Sequence, residues 1–96
     1  MTKETLLKEK RLEILRIAQE HGAHNVRVFG SVVTGDAGPN SDIDFLVEFD
    51  KERSLLDQVG LIQDLEDYLG QKVDVVTPNA LHWYIKDSVI AHAVKL

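Results

Sequence analysis

The sequence has 96 residues, a size that fits one compact domain and leaves little room for a second hydrophobic core. Hydrophobic residues make up 44% and charged residues 28% of it, which excludes the composition of a disordered chain. Sixteen acidic against eleven basic residues give a formal net charge of -5, which argues against a broad electrostatic contact with nucleic acid. The absence of cysteine excludes a disulfide, a thiolate zinc site and a cysteine nucleophile.

The N-terminal segment is rich in charge and lacks the apolar core of a signal peptide. No window approaches the roughly 18 apolar residues that span a bilayer. We therefore expect a single domain over residues 1–96 that is soluble and untargeted, and a cytoplasmic location is compatible with it.

The first predicted elements are a helix and a strand. Apolar residues recur along one face of an amphipathic helix from about Lys3 to His21, and Gly22 is a good stop for it. Residues 25–29 then alternate apolar and polar side chains, which predicts a short strand ending at Gly30.

A loop and a second strand follow. Residues 34–41 are rich in glycine, aspartate, asparagine and proline, which favour turns. Residues 43–49 resume as a strand, and its two-residue period places Asp42 and Asp44 on the same face. The opposite face carries Ile43, Phe45, Val47 and Phe49.

A second long helix is predicted to begin at Ser54, which can cap the free amides of its first turn while Asp57 meets the helix dipole. It is expected to run to Leu69 and to end at Gly70. The positions predicted to face the core are Leu55, Val59, Ile62 and Leu69.

The chain closes with a strand over 72–77, broken by Pro78, and a helix that Asn79 is predicted to cap. The order helix, strand, loop, strand, helix, strand, helix predicts an α+β or α/β sandwich built on a small mixed β-sheet packed with helices.

Asp42 and Asp44 can direct their carboxylates at one or two hard cations, which prefer oxygen ligands. Taken alone, such a pair more often belongs to a solvated strand face. The preceding Gly30-Ser31 favours a functional site over a solvated strand face, since a hydroxyl and exposed amides at a strand end can bind phosphate oxygens.

Asp74 is a third acid, in an otherwise apolar strand. If this strand lies beside the one that carries Asp44, three carboxylates converge and could hold two Mg²⁺ ions against the phosphates of a nucleotide. Asp74 could also accept the proton of an attacking hydroxyl. The alternative is an edge-strand aspartate that faces water.

The spacing Gly30-Ser31, ten residues, Asp42-Ile43-Asp44 resembles the signature of the DNA polymerase β-like nucleotidyltransferases. The short chain and its Lys72-Val73-Asp74-Val75-Val76-Thr77-Pro78 segment resemble the minimal nucleotidyltransferase, or MNT-domain, antitoxins. The resemblance covers about residues 10–92 and implies the small mixed sheet of that fold.

The resemblance also implies roles and partners. Ser31, with Gly30, would contact the phosphates of ATP, and the metal ligands would be Asp42, Asp44 and Asp74. The function implied is transfer of AMP from ATP, with Mg²⁺, to a tyrosine of a HEPN-domain ribonuclease toxin in a hetero-oligomer. The alternatives are an antitoxin that acts by binding alone, and a nucleotidyltransferase for a small molecule or an RNA end.

One position departs from the family pattern. Many members carry an arginine in the turn after Gly-Ser, where this chain has Thr34. A hydroxyl does not replace a forked, permanently charged donor. Arg27 or Lys51 could compensate.

Other conspicuous side chains are assigned to structure. The four histidines show no metal-binding spacing and are expected at surfaces or helix ends. Trp83 and Tyr84 could form a partner-facing patch, but we expect one of them in the core. The acidic residues Asp64, Glu66 and Asp67 are expected on a solvated helix face, with steering of a basic toxin as the alternative.

Overall fold

A computed structural model describes residues 2–36, 38 and 41–96. The elements in chain order are α1 (Lys3–Glu9), α2 (Arg11–Glu20), β1 (Ala23–Phe29), α3 (Ser31–Thr34), β2 (Ile43–Phe49), α4 (Leu55–Leu69), β3 (Val73–Val76), a 3-10 turn (Pro78–Ala80), α5 (Trp83–His92) and β4 (Val94–Lys95).

The strands form one mixed sheet in the order β3-β2-β1-β4. β2 runs parallel to β3, whereas β1 is antiparallel to both β2 and β4. The parallel pair is joined by α4, the helical crossover that such a pair requires. This architecture confirms the predicted α+β class with a small mixed sheet.

The hydrophobic core lies between the sheet and the helices α1, α2 and α4. Its most deeply buried side chains are Ile14, Ile43, Phe45 and Leu61, each with 0% exposure. Asp44 lies between the buried Ile43 and Phe45 of β2, and Asp74 lies between the buried Val73 and Val75 of β3. The sheet therefore turns these two aspartates away from the core.

The N-terminal segment forms two helices, so the prediction of one helix from Lys3 to His21 is wrong. Lys10 leaves helical geometry, with φ -101° and ψ 12°, although its amide still donates to Leu6. The break lets α1 pack on α3 while α2 packs on β1. Both helices keep their apolar face in the same core, which is why the periodicity reads as continuous.

The predicted loop over 34–41 is shortened because Thr34 ends α3. This one-turn helix was not predicted. Residues 37, 39 and 40 of that loop lie outside the described residues.

The start and end of α4 are as predicted. The Ser54 hydroxyl accepts from the amide of Leu56, and the Asp57 carboxylate accepts from the amide of Ser54 at 2.9 Å, which together close a capping box. Gly70 ends the helix in the left-handed conformation, with φ +67°. These contacts satisfy amides that the first turn leaves without helical partners.

The predicted core face of α4 is wrong in its first turns. Leu55 is 72% exposed and Val59 43% exposed, whereas Ile62 is half-buried and Leu69 is buried. The residues that enter the core from this helix are Leu61, Leu65 and Leu69. The first turn of α4 thus leaves apolar side chains on the surface.

The C-terminal part differs from the prediction in three ways. His82, not Asn79, caps α5, by accepting from the amide of Tyr84. Trp83 and Tyr84 are both 77% exposed, so neither lies in the core. The chain then returns to the sheet as β4, a strand that was not predicted.

Within the described ranges, no helix combines the length and the apolar character needed to cross a lipid bilayer.

Candidate active site

Two aspartates face each other across the parallel pair of strands. Asp44 of β2 is in register with Asp74 of β3, and Asp42 lies just before β2. Asp44 is half-buried, while Asp42 and Asp74 are exposed. The structure thus brings the strand of Asp74 beside Asp44, as the three-acid hypothesis requires, although Asp74 is also on an edge strand and exposed.

Gly30 brings the end of β1 against the carboxylate of Asp44. A Cβ atom at Gly30 would lie 2.4 Å from Oδ2 of Asp44, closer than real Cβ atoms approach an oxygen. Its backbone angles, φ +77° and ψ -147°, are those of a region that is essentially reserved for glycine. Both observations explain why glycine stands at this position.

The acidic side chains act on one another electrostatically. Burial raises the pKa of the Asp44 carboxyl, and the charges of Asp74 and then Asp42 raise it further. The ammonium group of Lys3 opposes them and lowers the same pKa. The negative charge of the Asp44 carboxylate is therefore disfavoured both by its burial and by its acidic neighbours.

Ser31 is the first residue of α3, directly after Gly30. It is half-buried, and its carbonyl accepts from the amide of Asp36 at 3.0 Å, which folds the following turn back on the helix. Thr34, at the position where the sequence resemblance leads us to expect an arginine, donates its hydroxyl to Oδ2 of Asp36 at 3.1 Å. Thr34 therefore supplies no cation here.

The cations proposed to compensate lie elsewhere. Nη2 of Arg27 lies 3.6 Å from Oε2 of Glu48, further along β2. Lys51 follows β2 at the end opposite to Asp42 and Asp44. The hypothesis that either cation replaces the turn arginine is not supported by these positions.

Lys3 is the residue that sequence reasoning missed. Its Nζ atom donates to the carbonyl of Gly38 at 2.9 Å and to the carbonyl of Ser41, the residue before Asp42. In the sequence Lys3 is one of several charges in an N-terminal helix, and no local pattern indicates that the chain folds it against residues some 35 positions later.

The histidines occupy surface and helix-end positions, in agreement with the prediction. Nε2 of His21 contacts Asp64 at 2.6 Å, and Nδ1 of His24 lies 3.2 Å from Asp50. His82 caps α5 and His92 lies in its last turn. Asp64 and Asp67 are exposed, whereas Glu66 is half-buried and accepts from the amide of Val73 at 3.0 Å, so its structural role is the larger one.

The donor set suits a hard divalent cation in chemistry. Asp42, Asp44 and Asp74 offer carboxylate oxygens, and a cation would offset the repulsion that raises the pKa of Asp44. As the side chains stand, no three acidic or histidine residues in the part of the chain that the structure describes are gathered into a ready-made metal site. The site therefore suits a divalent cation in two respects: its donors are carboxylate oxygens, and a bound cation would reduce the repulsion among them.

Comparison with known proteins gives the same class as the fold. The family model described as the nucleotidyltransferase domain matches residues 8–96. A candidate protein adenylyltransferase of Methanocaldococcus jannaschii is 41% identical over 88 residues, which cover 92% of this chain and 95% of that protein. The protein adenylyltransferase MntA of Thermococcus cleftensis is 37% identical over 78 residues, covering 81% of this chain and 79% of its own length.

The chain therefore belongs to the nucleotidyltransferase domain family and is an enzyme of that class. Its fold is that of a minimal nucleotidyltransferase: a solved structure so described superposes with a TM-score of 0.88 at 39% identity, over 99% of this chain and 97% of that one. A crystal structure of a toxin–antitoxin pair with AMP-PNP shares the fold, with a TM-score of 0.73 at 21% identity over 98% of this chain and 72% of that one.

Proposed function

We propose that this protein is the antitoxin of a HEPN/MNT toxin–antitoxin module and transfers AMP from ATP to a tyrosine hydroxyl of its HEPN ribonuclease partner. The observation that carries the proposal is the pairing of Asp44 with Asp74 in adjacent parallel strands, with Gly30 against the carboxylate of Asp44. The names of the relatives, which are protein adenylyltransferases, support the same reaction.

The chemistry is a displacement at the α-phosphorus of ATP. The tyrosine oxygen forms a bond to that phosphorus, the bond to the bridging oxygen breaks, and pyrophosphate leaves. Asp74 accepts the proton of the tyrosine hydroxyl, a role open to an exposed carboxylate. Ser31, at the N-terminal end of α3, donates its hydroxyl to a phosphate oxygen.

Asp42, Asp44 and Asp74 would hold Mg²⁺, which when bound neutralises negative charge on the phosphates. Asp44 would be the central ligand of this set, since it is half-buried and the charges of both other acids act on its carboxyl. A site with three unpaired carboxylates would otherwise repel a triphosphate.

Transfer to the partner tests the proposal. We expect label from α-labelled ATP, supplied with Mg²⁺, to reach the proposed HEPN partner, and Asp42→Asn with Asp44→Asn to abolish labelling. The matched control is Glu9→Gln with Asp67→Asn, which removes two exposed carboxylates from helices and should label normally. A partner left unlabelled by the wild type, or labelled equally by the double aspartate variant, would sink the idea.

The second candidate is an antitoxin that works by occluding its partner. Thr34 in place of the turn arginine and the exposed apolar side chains of Leu55, Leu56, Trp83 and Tyr84 favour it. It predicts that the Asp42→Asn, Asp44→Asn variant still protects cells from the toxin. A variant that binds the toxin without protecting cells would count against occlusion.

Both candidates imply a hetero-oligomer with the toxin. Because ATP is the proposed donor, we propose that the protein works in the cytoplasm. Direct binding to nucleic acid is not expected of a chain with a net charge of -5.

A further inference from the structure

Lys3 ties the first helix of the fold to the segment that leads into β2. Its ammonium group bridges the carbonyls of Gly38 and Ser41, and Ser41 immediately precedes Asp42. The backbone of Lys3 is itself held in place, because Lys3 lies in the first turn of α1. The hydroxyl of Thr2 caps this turn by accepting from the amide of Thr5 at 3.1 Å. Leu6 and Leu7 then anchor α1 in the core.

We propose that Lys3 is a positioning residue of the nucleotide site, which holds Asp42 beside Asp44 and keeps a positive charge next to the acidic side chains. This inference rests on one part of the proposed function, the binding of ATP at this site. The two carbonyl bonds fix the backbone next to Asp42, and the half-buried Nζ atom stays in place because both of its acceptors belong to one short segment.

The location of this charge matters for an anionic substrate. Three carboxylates at one end of the sheet repel the phosphates of a nucleotide, and the ammonium group of Lys3 acts against that repulsion. Thr34 is uncharged and donates its hydroxyl to Asp36. Arg27 forms an ion pair with Glu48, so it does not offer its charge to this site. Lys3 thus supplies a positive charge to this end of the sheet from a distant part of the chain.

Binding of ATP with Mg²⁺, measured by titration calorimetry on the full chain without any partner, tests this role. We expect Lys3→Met to weaken binding about tenfold, the scale set by losing hydrogen bonds to a charged group. Lys3→Arg, which keeps the charge and the donors, should stay within about threefold of the wild type. Lys3→Gln keeps an amide donor without the charge and should fall between them.

The matched control is Lys8→Met, in the last turn of the same helix and exposed, which should bind as the wild type does. The melting temperature of each variant is measured as well. If the role of Lys3 were purely structural, Lys3→Met would lower the melting temperature, and there would be no loss of affinity for Lys3→Arg to restore. Equal affinity of Lys3→Met and the wild type would overturn the inference, as would an equal loss in Lys8→Met.

The outcomes also separate this inference from the proposed function. A wild-type protein that binds ATP and Mg²⁺ but labels no partner would overturn the transfer reaction and leave the role of Lys3 standing. A wild-type protein that binds no nucleotide would overturn both.

Discussion

At the scale of single residues, Gly30 and Asp44 are matched to each other. The carboxylate of Asp44 occupies the space that a side chain at position 30 would need. The backbone of Gly30 also adopts angles that other residues avoid. A substitution at Gly30 therefore has two costs, one in backbone strain and one in the position of Asp44.

We expect Gly30→Ala to lower the free energy of unfolding by about 1–3 kcal/mol through backbone strain and to abolish AMP transfer by displacing Asp44. Chemical denaturation and the labelling assay measure the two effects. Gly70→Ala is the control, because Gly70 also has positive φ, at +67°, but nothing lies within 4 Å of its would-be Cβ. It should lose stability and keep activity; an active Gly30→Ala variant would contradict the packing argument.

The pairing of Gly30 with Asp44 could be predicted in part. The Gly-Ser and Asp-Ile-Asp spacing pointed to a shared site, since both motifs fall at strand ends. The contact with Lys3 could not be predicted, because it depends on how α1 folds back over the sheet, and a lysine within a charged helix carries no mark of that role.

At the scale of elements, the capping box of α4 provides a charge-dependent contribution to stability. The amide of Ser54 and, secondarily, the guanidinium of Arg53 hold the pKa of the Asp57 carboxyl below its usual range. A carboxyl whose pKa is lower in the folded than in the unfolded protein stabilises the folded state. This contribution is fully present at pH values above the carboxyl's pKa in the unfolded chain. That contribution is lost as the pH falls through the folded-state pKa.

Asp57→Asn should therefore lower the melting temperature at pH 7, and the difference from the wild type should shrink on going from about pH 5 to pH 3. Asp67→Asn, which removes an exposed charge from the same helix, is the control and should change the melting temperature little at either pH. A difference for Asp57→Asn that is constant with pH would show that the carboxylate charge is not what stabilises the cap.

The exposed start of α5 is where we expect the partner to bind. Trp83 and Tyr84 pack edge to face on each other, with ring centres 5.7 Å apart, and both are 77% exposed. No residue of α5 is buried in this chain. Aromatic side chains of this kind contribute strongly when a partner covers them.

Trp83→Ala with Tyr84→Ala should weaken binding of the HEPN protein about tenfold or more while leaving the melting temperature unchanged, as measured by titration calorimetry and thermal unfolding. Leu12→Ala on α2 is the control, since Leu12 is 76% exposed at a different place on the surface. If the double variant bound the HEPN protein as tightly as the wild type, the interface would lie elsewhere than on α5.

The errors in predicting the elements have a common physical origin. The sequence predicts a core position for Leu55, Val59 and one of Trp83 and Tyr84, because apolar side chains usually pack inward. In this chain the first turns of α4 and α5 leave apolar side chains exposed, and their periodicity does not reveal that. The strand β4 was missed because two residues carry too little pattern to predict pairing with β1.

At the scale of the whole molecule, one core joins the sheet to α1, α2 and α4. Leu65 of α4 is 1% exposed within it, whereas Leu56, on the same helix, is 81% exposed. The two leucines differ only in their environment, so their truncation separates the contribution of the core from that of helix propensity.

Leu65→Ala should lower the free energy of unfolding by about 2–5 kcal/mol, a large fraction of the total for a chain of this size. Leu56→Ala should change it by less than about 0.5 kcal/mol. Urea denaturation followed by circular dichroism measures both. Similar values for the two variants would contradict the assignment of α4's core face.

The mixed sheet was predictable from the order of elements and from the alternation in β2 and β3. The parallel register of β3 against β2 was not, because the sequence shows that a strand exists but not which residue it places opposite Asp44. That register is set by the length of the helical crossover and by the core face of each strand.

The register of β3 links correct folding to assembly of the acidic site. If β3 shifted by one residue, Asp74 would enter the apolar core and Val73 or Val75 would take its place beside Asp44. A misfolded molecule of this kind would be unstable as well as inactive, since an unpaired carboxylate in an apolar core is costly. The energetics that select the native register thus also disfavour molecules in which Asp74 does not stand beside Asp44.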